Sequence, residues 1–296
     1  MFYFGTAHYV LTLALIPISL LLTWYLFKGK EAKVQKRFLL ILAFINFALH
    51  FLKILIPPYS SLIFVDADNT FPYSLASLGA SNFCALNTLL LPFALLSKKQ
   101  GFRDSVLILA FVGGLMAVVY PVDHFDQTLF VIDIFRYYIC HLSLMLVPIL
   151  SLIFGTFSLS YKSWWKVPGF VLLEMCVIFF NAAFLSEIGL LPLRSYIEVS
   201  DYGNEAFVYG PYFHRHGEIL PYLDIFVPEF LKRVPKGFLY YDNLRGFYDN
   251  ADKLHYWPII WAIGPIVIYG FPLSFLLFFA LDHKNFKKAI KKRLGK

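Results

Sequence analysis

Charged residues are scarce in this sequence. They make up only 15% of the 296 residues, whereas soluble globular proteins carry charge at roughly 25% of positions. Hydrophobic residues reach 59% and aromatic residues 19%, a balance that excludes an ordinary soluble domain. The apolar residues occur in blocks of about 20, the length that a helix needs to cross the hydrocarbon core of a membrane. The composition therefore predicts an integral membrane protein.

Cysteine is also rare, and the few cysteines do not suit a disulfide framework. Cys84, Cys140 and Cys176 all lie inside apolar blocks, which excludes a disulfide-bonded extracellular scaffold. The sequence lacks Gly-rich phosphate loops, zinc-protease motifs and dinucleotide fingerprints, so we predict no cofactor. The formal net charge of +7 comes from Lys and Arg clustered beside the apolar blocks. Such clusters are typical of membrane topology and do not indicate a nucleic-acid partner.

Seven apolar blocks are long enough to span a bilayer. The expected fold is therefore all-α, a polytopic membrane protein with about seven transmembrane helices. We place a membrane domain of six helices at residues 1–186, an extracytoplasmic loop or cap at 187–257, a seventh helix at 258–281 and a basic tail at 282–296. The first six helices are predicted at residues 8–27, 38–56, 73–97, 104–120, 129–157 and 165–186. The fourth has the weakest signal because it is short and contains two adjacent glycines.

Lysine and arginine are missing from the loops after the second and fourth blocks, which carry acidic residues instead. The basic clusters follow the first, third, fifth and last blocks. Since positive residues in short loops mark the cytoplasmic side, we expect the N-terminus outside and the C-terminus in the cytoplasm of a multi-pass plasma-membrane protein. No basic residue precedes the first block, so we expect that block to remain as an anchor rather than to be a cleaved signal.

The third predicted helix carries a stripe of small polar residues. Ser74, Ser77, Ser81, Cys84 and Thr88 recur at steps of three and four, which places them on one helical face. Polar groups inside a membrane span face protein or water because their exposure to lipid is costly. The stripe therefore predicts either a close helix interface, in which the hydroxyls bond neighbouring backbone, or the wall of a polar pocket.

The fifth predicted helix has polar residues at helical spacing. Asp133, Tyr137 and His141 are four apart and lie on one side, and Arg136 is close enough to Asp133 for a structural ion pair. His141 is near the middle of its span, and Cys84 lies at a matching depth of roughly 17 Å from the outer surface. Nucleophilic acyl transfer requires a thiol beside an imidazole, because the imidazole takes the thiol proton. The alternative is that Cys84 serves only as a small apolar residue.

The segment from Asn82 to Gly155 resembles the YwaF-like bacterial membrane proteins and the related animal transmembrane acyltransferases of ether phospholipids. The shared pattern is a Cys in one helix, a Gly-rich helix, and a His in the next helix that begins an H-x6-P stretch, here His141 to Pro148. The resemblance implies a thioester-forming acyltransferase, with Cys84 as nucleophile and His141 as its partner. It also implies a role for Asn181, whose helix contains Glu174.

We therefore expect a membrane-embedded acyltransferase or acyl hydrolase that acts on a phospholipid or another acyl-lipid through a cysteine thioester. Cys84 would attack the ester carbonyl and His141 would move the proton, while Ser81, Thr88 or Asn181 stabilises the oxyanion. The expected substrate pocket comprises residues from four helices: Ser81, Thr88, Tyr137, Asn181, Glu174 and His50. The sequence carries no signal for an oligomeric state.

Two other classes of function remain open at this stage. In a transporter or channel, ionisable groups within the spans would line a path for an ion or substrate. Those groups are His50, Asp133, Arg136, His141 and Glu174. In a non-catalytic assembly factor, the segment 187–257 would dock a partner protein.

Two further histidine groups have simpler explanations than a functional site. His214, His216 and Glu218 alternate along the chain, as metal ligands on a strand sometimes do. The polarity of an external loop is the ordinary explanation and further ligands are not apparent, so we predict no metal site. His50 shares one helix with Asn46 and is best explained as a packing residue, with a place beside the pocket as the alternative.

Overall fold

The computed structural model of the chain describes a membrane protein built from helices. It covers residues 5–57, 59–60, 63–66, 69–121, 132–190, 206–211, 220–236, 241–242, 247–248 and 255–293. Within these residues, six helices are long and apolar enough to cross a membrane, and one further apolar helix is shorter. The all-α polytopic fold is thus confirmed, and a shorter helix replaces one of the seven predicted spans.

The helices follow the predicted blocks closely at most positions. In chain order they are α1 (Ala7–Phe27), α2 (Ala32–Leu52), α3 (Tyr73–Ala76), α4 (Phe83–Leu96), α5 (Gln100–Val119), α6 (Ile132–Ile153), α7 (Lys166–Glu187), α8 (Pro221–Asp224), α9 (Glu229–Lys232), α10 (Ile263–Pro265), α11 (Phe271–Leu281) and α12 (His283–Arg293). The last span, Ile260–Leu281, is continuous because a 3-10 turn precedes α10 and a π-helical segment, Ile266–Gly270, joins α10 to α11. The weak fourth block is a full span, α5.

The third predicted helix is broken. Residues 73–97 form one apolar block, yet α3 ends at Ala76 and α4 begins only at Phe83. The chain turns after α3, where the N–H of Gly79 donates to the carbonyl of Ala76 at 3.2 Å. The prediction of a continuous helix over 73–97 is therefore wrong. Ser81 lies in the break and Cys84 lies in the first turn of α4, so the small polar residues do not form one helical stripe.

Contacts group the chain into two compact units, and the first comprises Met1–Ser61, Phe83–Ser163 and Leu281–Lys296. In this unit α6 packs against α1, α2, α4 and α5, while α4 also packs against α2 and α5. Leu39 of α2 packs with Leu150 of α6 in the apolar core. On α1, Leu11 and Leu21 are more than 60% exposed. Because water disfavours such large exposed apolar surface, this side of the helix suits lipid.

Hydrogen bonds stabilise the first unit, both between its helices and in the segments that follow them. The amide of Asn46 on α2 donates to the carbonyl of Cys140 on α6 at 3.2 Å, and Asn46 is fully buried. Beyond the ends of α6 and the last span, the N–H of Tyr161 donates to the carboxylate of Asp282 at 2.9 Å. These bonds satisfy polar groups that would otherwise be costly to bury.

The second unit comprises Leu62–Asn82 and Trp164–Ala280, with α7 and the last span as its long helices. The hydroxyl of Ser274 donates to the carbonyl of Trp164 at 2.6 Å. Two short antiparallel hairpins add the only strands among the described residues: β1 (Ile63–Asp66) with β2 (Asn69–Pro72), and β3 (Tyr241–Asp242) with β4 (Phe247–Tyr248). The helical prediction did not include these hairpins.

Parts of the long polar segment fold against the beginning of the last span. The indole N–H of Trp261 donates to the carbonyl of Phe207 at 2.9 Å, and the N–H of Ile259 donates to that of Val208 at 2.8 Å. A Cβ at Gly264 would collide with the carbonyl oxygen of Phe226. The segment is therefore structured around Phe207 and Phe226. The domain boundaries at 186, 257 and 281 stay predictions.

The predicted ion pair on α6 is present. Arg136 Nε lies 2.6 Å from Asp133 Oδ1, and the two side chains are only 9% and 3% exposed. We expect Asp133→Leu or Arg136→Leu alone to lower the free energy of unfolding by about 2 kcal/mol, because each leaves a buried charge without its partner. The double variant should lose less than the sum of the two. Denaturant titration of the purified protein measures this coupling, and additive losses would contradict the structural role.

Candidate active site

Cys84 is the second residue of α4 and is partly buried. The first four N–H groups of an α-helix have no partner within the helix, and the helix dipole adds partial positive charge at that end. A negative charge near Cys84 is therefore favoured, whether it is a thiolate or an oxyanion next to it. The break before α4 produces this arrangement, since a continuous helix would have used these N–H groups in its own ladder.

Gly113 of α5 lies directly against the thiol. A Cβ at Gly113 would stand 3.2 Å from Cys84 Sγ, which is closer than most real Cβ contacts. The bare backbone of α5 thus leaves the space that the sulfur occupies. A side chain at this position would have to displace the thiol.

Gly114, the next residue, lies against the backbone of α6 at His141. A Cβ at Gly114 would stand 2.6 Å from the carbonyl oxygen of His141 and 2.9 Å from the backbone nitrogen of Met145. Such close approach of two helices is typical of glycine contacts in membranes. Consecutive glycines of α5 therefore meet Cys84 on one side and the His141 turn on another.

The imidazole of His141 has a defined orientation. Its Nδ1 lies 2.9 Å from the carbonyl oxygen of Tyr137. Because a carbonyl oxygen only accepts, Nδ1 carries the proton and the neutral ring has its lone pair on Nε2. The Tyr137 and His141 rings also pack at 4.0 Å between centroids. In this tautomer, Nε2 is the ring nitrogen that can accept a proton.

Tyr137 is itself anchored on α5. It is buried, and its hydroxyl donates to the carbonyl of Ala117 at 2.8 Å. Ala117 follows Gly113 by one helical turn. The segment of α5 from Gly113 to Ala117 therefore supports the thiol, the His141 backbone and the tyrosine that orients the imidazole.

A comparison of the whole sequence with protein families adds the decisive observation. A family model matches residues 3–204, about two thirds of the chain. The chain belongs to the TMEM164 family. The match to this transmembrane family runs through α1 to α7 and includes both Cys84 and His141. No curated protein and no solved structure matches the chain.

Two other predicted site residues of this TMEM164-family protein belong to the first unit. Thr88 lies one turn after Cys84 on α4 and is buried. His50 is buried near the end of α2, with its ring 5.3 Å from that of Phe51. The packing explanation for His50 agrees with this contact.

The remaining predicted site residues of the TMEM164-family protein fall in the second unit. Ser81 is in the break before α4, and Glu174 is buried on α7. The side-chain amide of Asn181 packs on Gly79, where a Cβ would stand 2.6 Å from its Oδ1. The roles of these three residues in substrate or oxyanion binding stay predictions.

No cluster of His, Cys, Asp and Glu among the described residues of the TMEM164-family chain has the composition of a metal site. His214, His216 and Glu218 lie outside the described residues.

Three residues contribute to this site although the sequence reasoning did not single them out. Gly113 and Gly114 were noted for the weak span and as the Gly-rich helix of the family resemblance but not as site residues, and Ala117 was not noted. Adjacent glycines in an apolar helix are a usable signal, because small residues mark close helix contacts. A backbone acceptor such as the Ala117 carbonyl leaves no signal in the sequence.

The tyrosine anchor leads to a prediction about positioning. We expect Tyr137→Phe to lower the free energy of unfolding by about 1 kcal/mol, because one buried hydrogen bond is lost. The acyl transfer expected from the sequence should also fall severalfold, because His141 would be held less firmly. Tyr9→Phe is the matched control, because the hydroxyl of Tyr9 donates to another α5 carbonyl, that of Val119, at 2.7 Å. Equal effects of both variants on transfer would contradict the positioning role.

Proposed function

We propose that this protein is a membrane-embedded acyltransferase or acyl hydrolase that acts on glycerophospholipid through a thioester on Cys84. The main support is that consecutive glycines on α5 meet the Cys84 thiol and the backbone of His141. A thiol and an oriented imidazole on helices that pack together are the groups that covalent acyl transfer uses. The resemblance to the ether-phospholipid acyltransferases points to the same chemistry.

In the first half-reaction, Nε2 of neutral His141 takes the proton from the Cys84 thiol. The thiolate attacks the ester carbonyl of the donor lipid, and a tetrahedral oxyanion forms. When this intermediate collapses, the ester C–O bond breaks and the leaving alkoxide takes the proton from the His141 imidazolium. The products are a lysolipid alcohol and an acyl thioester on Cys84.

In the second half-reaction, an acceptor hydroxyl gives its proton to His141 and attacks the thioester carbonyl. The C–S bond breaks, and the Cys84 thiolate recovers the proton from the imidazolium. A lysolipid acceptor gives transfer, and water gives hydrolysis. The exclusion of water around the thioester decides between the two outcomes.

The oxyanion has a natural partner at the beginning of α4. Backbone N–H groups of a first helical turn stabilise developing negative charge without reorganisation. Cys84 lies in that turn, so an attacked carbonyl would be held close to these donors. Thr88, one turn further along, is a second candidate donor.

We also propose that the protein resides in the plasma membrane with the N-terminus outside. The support is the alternation of basic and acidic loops, together with the basic residues of α12 after the last span. A C-terminal fluorescent-protein fusion should then be fluorescent, and a C-terminal alkaline phosphatase fusion should be inactive. The opposite result would reverse the topology.

The experiment that tests the activity uses purified protein in liposomes with a labelled-acyl phospholipid and an unlabelled lysophospholipid. We expect Cys84→Ala to reduce label transfer by about 10³-fold or more, because the nucleophile is lost. Cys176→Ala is the matched control, since Cys176 is a partly buried cysteine of another span, α7. Transfer that is unchanged in Cys84→Ala would overturn the proposal. Solute flux that survives Cys84→Ala would favour the transporter class instead.

A further inference from the structure

A cleft lies at the opposite end of the first unit from the Cys84 turn. It is formed where the beginning of α2, the end of α4, the beginning of α5 and the end of α6 come together. Lys36, Arg103, Ser151 and Thr156 supply its polar wall. Along α4, Leu95 of the cleft is 11 residues from Cys84, which corresponds to about 17 Å at the helical rise.

The cleft contains two basic side chains, those of Lys36 and Arg103. Lys36 is exposed, and no ion pair among the described residues involves Lys36 or Arg103. The neighbouring carboxylate of Asp104 interacts electrostatically with Arg103 but accepts its hydrogen bonds from the amide of Gln100 at 2.8 Å and from the N–H of Ser160 at 3.4 Å. Neither basic side chain is thus held in a direct ion pair with a described residue, which leaves both able to contact an anion.

The cleft also holds buried donors without partners. Arg103 Nε and Ser151 Oγ are both buried without a hydrogen bond among the described residues. The whole of Ser151, on α6, is buried. Buried polar atoms usually have partners, so two in one cleft indicate a ligand. The Arg103 guanidinium is meanwhile held in place, because its Nη2 donates to Gln100 at 2.6 Å and it lies 4.4 Å from the centre of the Phe157 ring.

The rest of the cleft lining is mostly apolar. It includes Leu39, Leu95 and Leu96, and Leu96 is 57% exposed. A phosphate held by Lys36, Arg103 and Ser151 would thus have apolar surface beside it. A free inorganic anion would leave this apolar surface exposed to water, whereas the glycerol and acyl chains of a lipid would cover it.

We propose that this cleft binds the phosphate headgroup of an anionic phospholipid such as phosphatidylglycerol. Basic pockets between transmembrane helices are suited to anionic headgroups, because Arg and Lys pair with phosphate where the bilayer meets water. The ester carbonyls of a glycerophospholipid are only a few bonds from its phosphate, whereas Cys84 is about 17 Å away along α4. The bound lipid is therefore a resident partner of the fold and not the acyl donor.

The test is native mass spectrometry of the purified full-length protein titrated with phosphatidylglycerol or phosphatidylcholine. We expect one phosphatidylglycerol to bind at least tenfold more tightly than phosphatidylcholine. Lys36→Gln with Arg103→Gln should weaken phosphatidylglycerol binding by about thirtyfold, since each basic residue contributes about fivefold. The control is Lys33→Gln with Lys99→Gln, which removes the same charge from exposed residues outside the cleft, and it should change affinity by less than twofold.

Three results would overturn this assignment. Equal losses in the two double variants would mean that only general surface charge matters. Equal binding of the two lipids would remove the headgroup preference, and displacement of phosphatidylglycerol by millimolar inorganic phosphate would assign the cleft to a free anion. If the Arg103 variant does not fold, Lys36→Gln alone still tests the proposal, because Lys36 is exposed. This single variant should weaken binding about fivefold.

Discussion

His141→Gln should slow acyl transfer by about 10³-fold while leaving the fold intact. A positioned general base contributes typically 10²–10⁴-fold, and glutamine keeps the size of the side chain without the basic nitrogen. The hydrogen bond from Nδ1 to the Tyr137 carbonyl can be replaced by the glutamine amide. Steady-state transfer in liposomes measures the loss, and thermal unfolding confirms that the variant is folded.

The pH dependence of this variant separates a lost base from a lost structure. Without His141, attack depends on thiolate formed by direct ionisation, and the thiolate fraction of a cysteine rises with pH. The rate of His141→Gln should therefore recover partly as the pH is raised from 7 to 10, whereas Cys84→Ala should stay inactive throughout. His283→Gln, an exposed histidine of α12, should match the wild type. A flat profile for His141→Gln would contradict its role as base.

Substitutions at the two adjacent glycines should affect different properties: stability at Gly114 and acyl transfer at Gly113. Gly114→Val should lower the free energy of unfolding by about 3 kcal/mol or more, because its side chain would meet the backbone of α6 at His141 and Met145. Gly113→Ala should leave the protein folded, since its Cβ would meet only the Cys84 thiol at 3.2 Å. Transfer should nevertheless fall by about 10²-fold, because small displacements of a nucleophile are costly.

Thermal unfolding and transfer kinetics together decide this prediction. Gly169→Ala is a control of the same residue type, since nothing lies within 4 Å of a Cβ at Gly169 on α7. It should change neither quantity measurably. If Gly113→Ala kept full activity, the thiol at Gly113 would not be the nucleophile.

The positions of the membrane spans were largely predictable because such spans carry a strong hydropathy signal. Six of the seven blocks became full spans, including the weak block at α5. The break in the block at 73–97 was missed, because an average over about 20 residues cannot distinguish one helix from two short elements. Gly79 was the local signal, yet glycine is also common within continuous membrane helices. For the same reason, Cys84 was predicted 11 to 12 residues into a continuous helix, whereas it lies in the first turn of α4.

Several residues at the site could be predicted from the sequence, but how they pack together could not. Helical spacing placed Tyr137 and His141 on one side of α6, and their rings do pack. The packing of α5 against both α4 and α6 is a tertiary contact, and residue spacing along one helix cannot predict it. The same limit applies to Asn46, whose bond to the Cys140 carbonyl joins α2 to the turn of α6 that carries His141.

The proposed function depends on whether Cys84 carries an acyl group during turnover. The direct measurement is mass spectrometry of the Cys84 peptide after brief incubation of the wild-type protein with a defined phospholipid. We predict that this peptide gains the mass of one acyl chain, that hydroxylamine removes it, and that Cys140 and Cys176 remain unmodified. An unmodified Cys84 under conditions in which labelled acyl groups are being transferred would contradict the thioester mechanism.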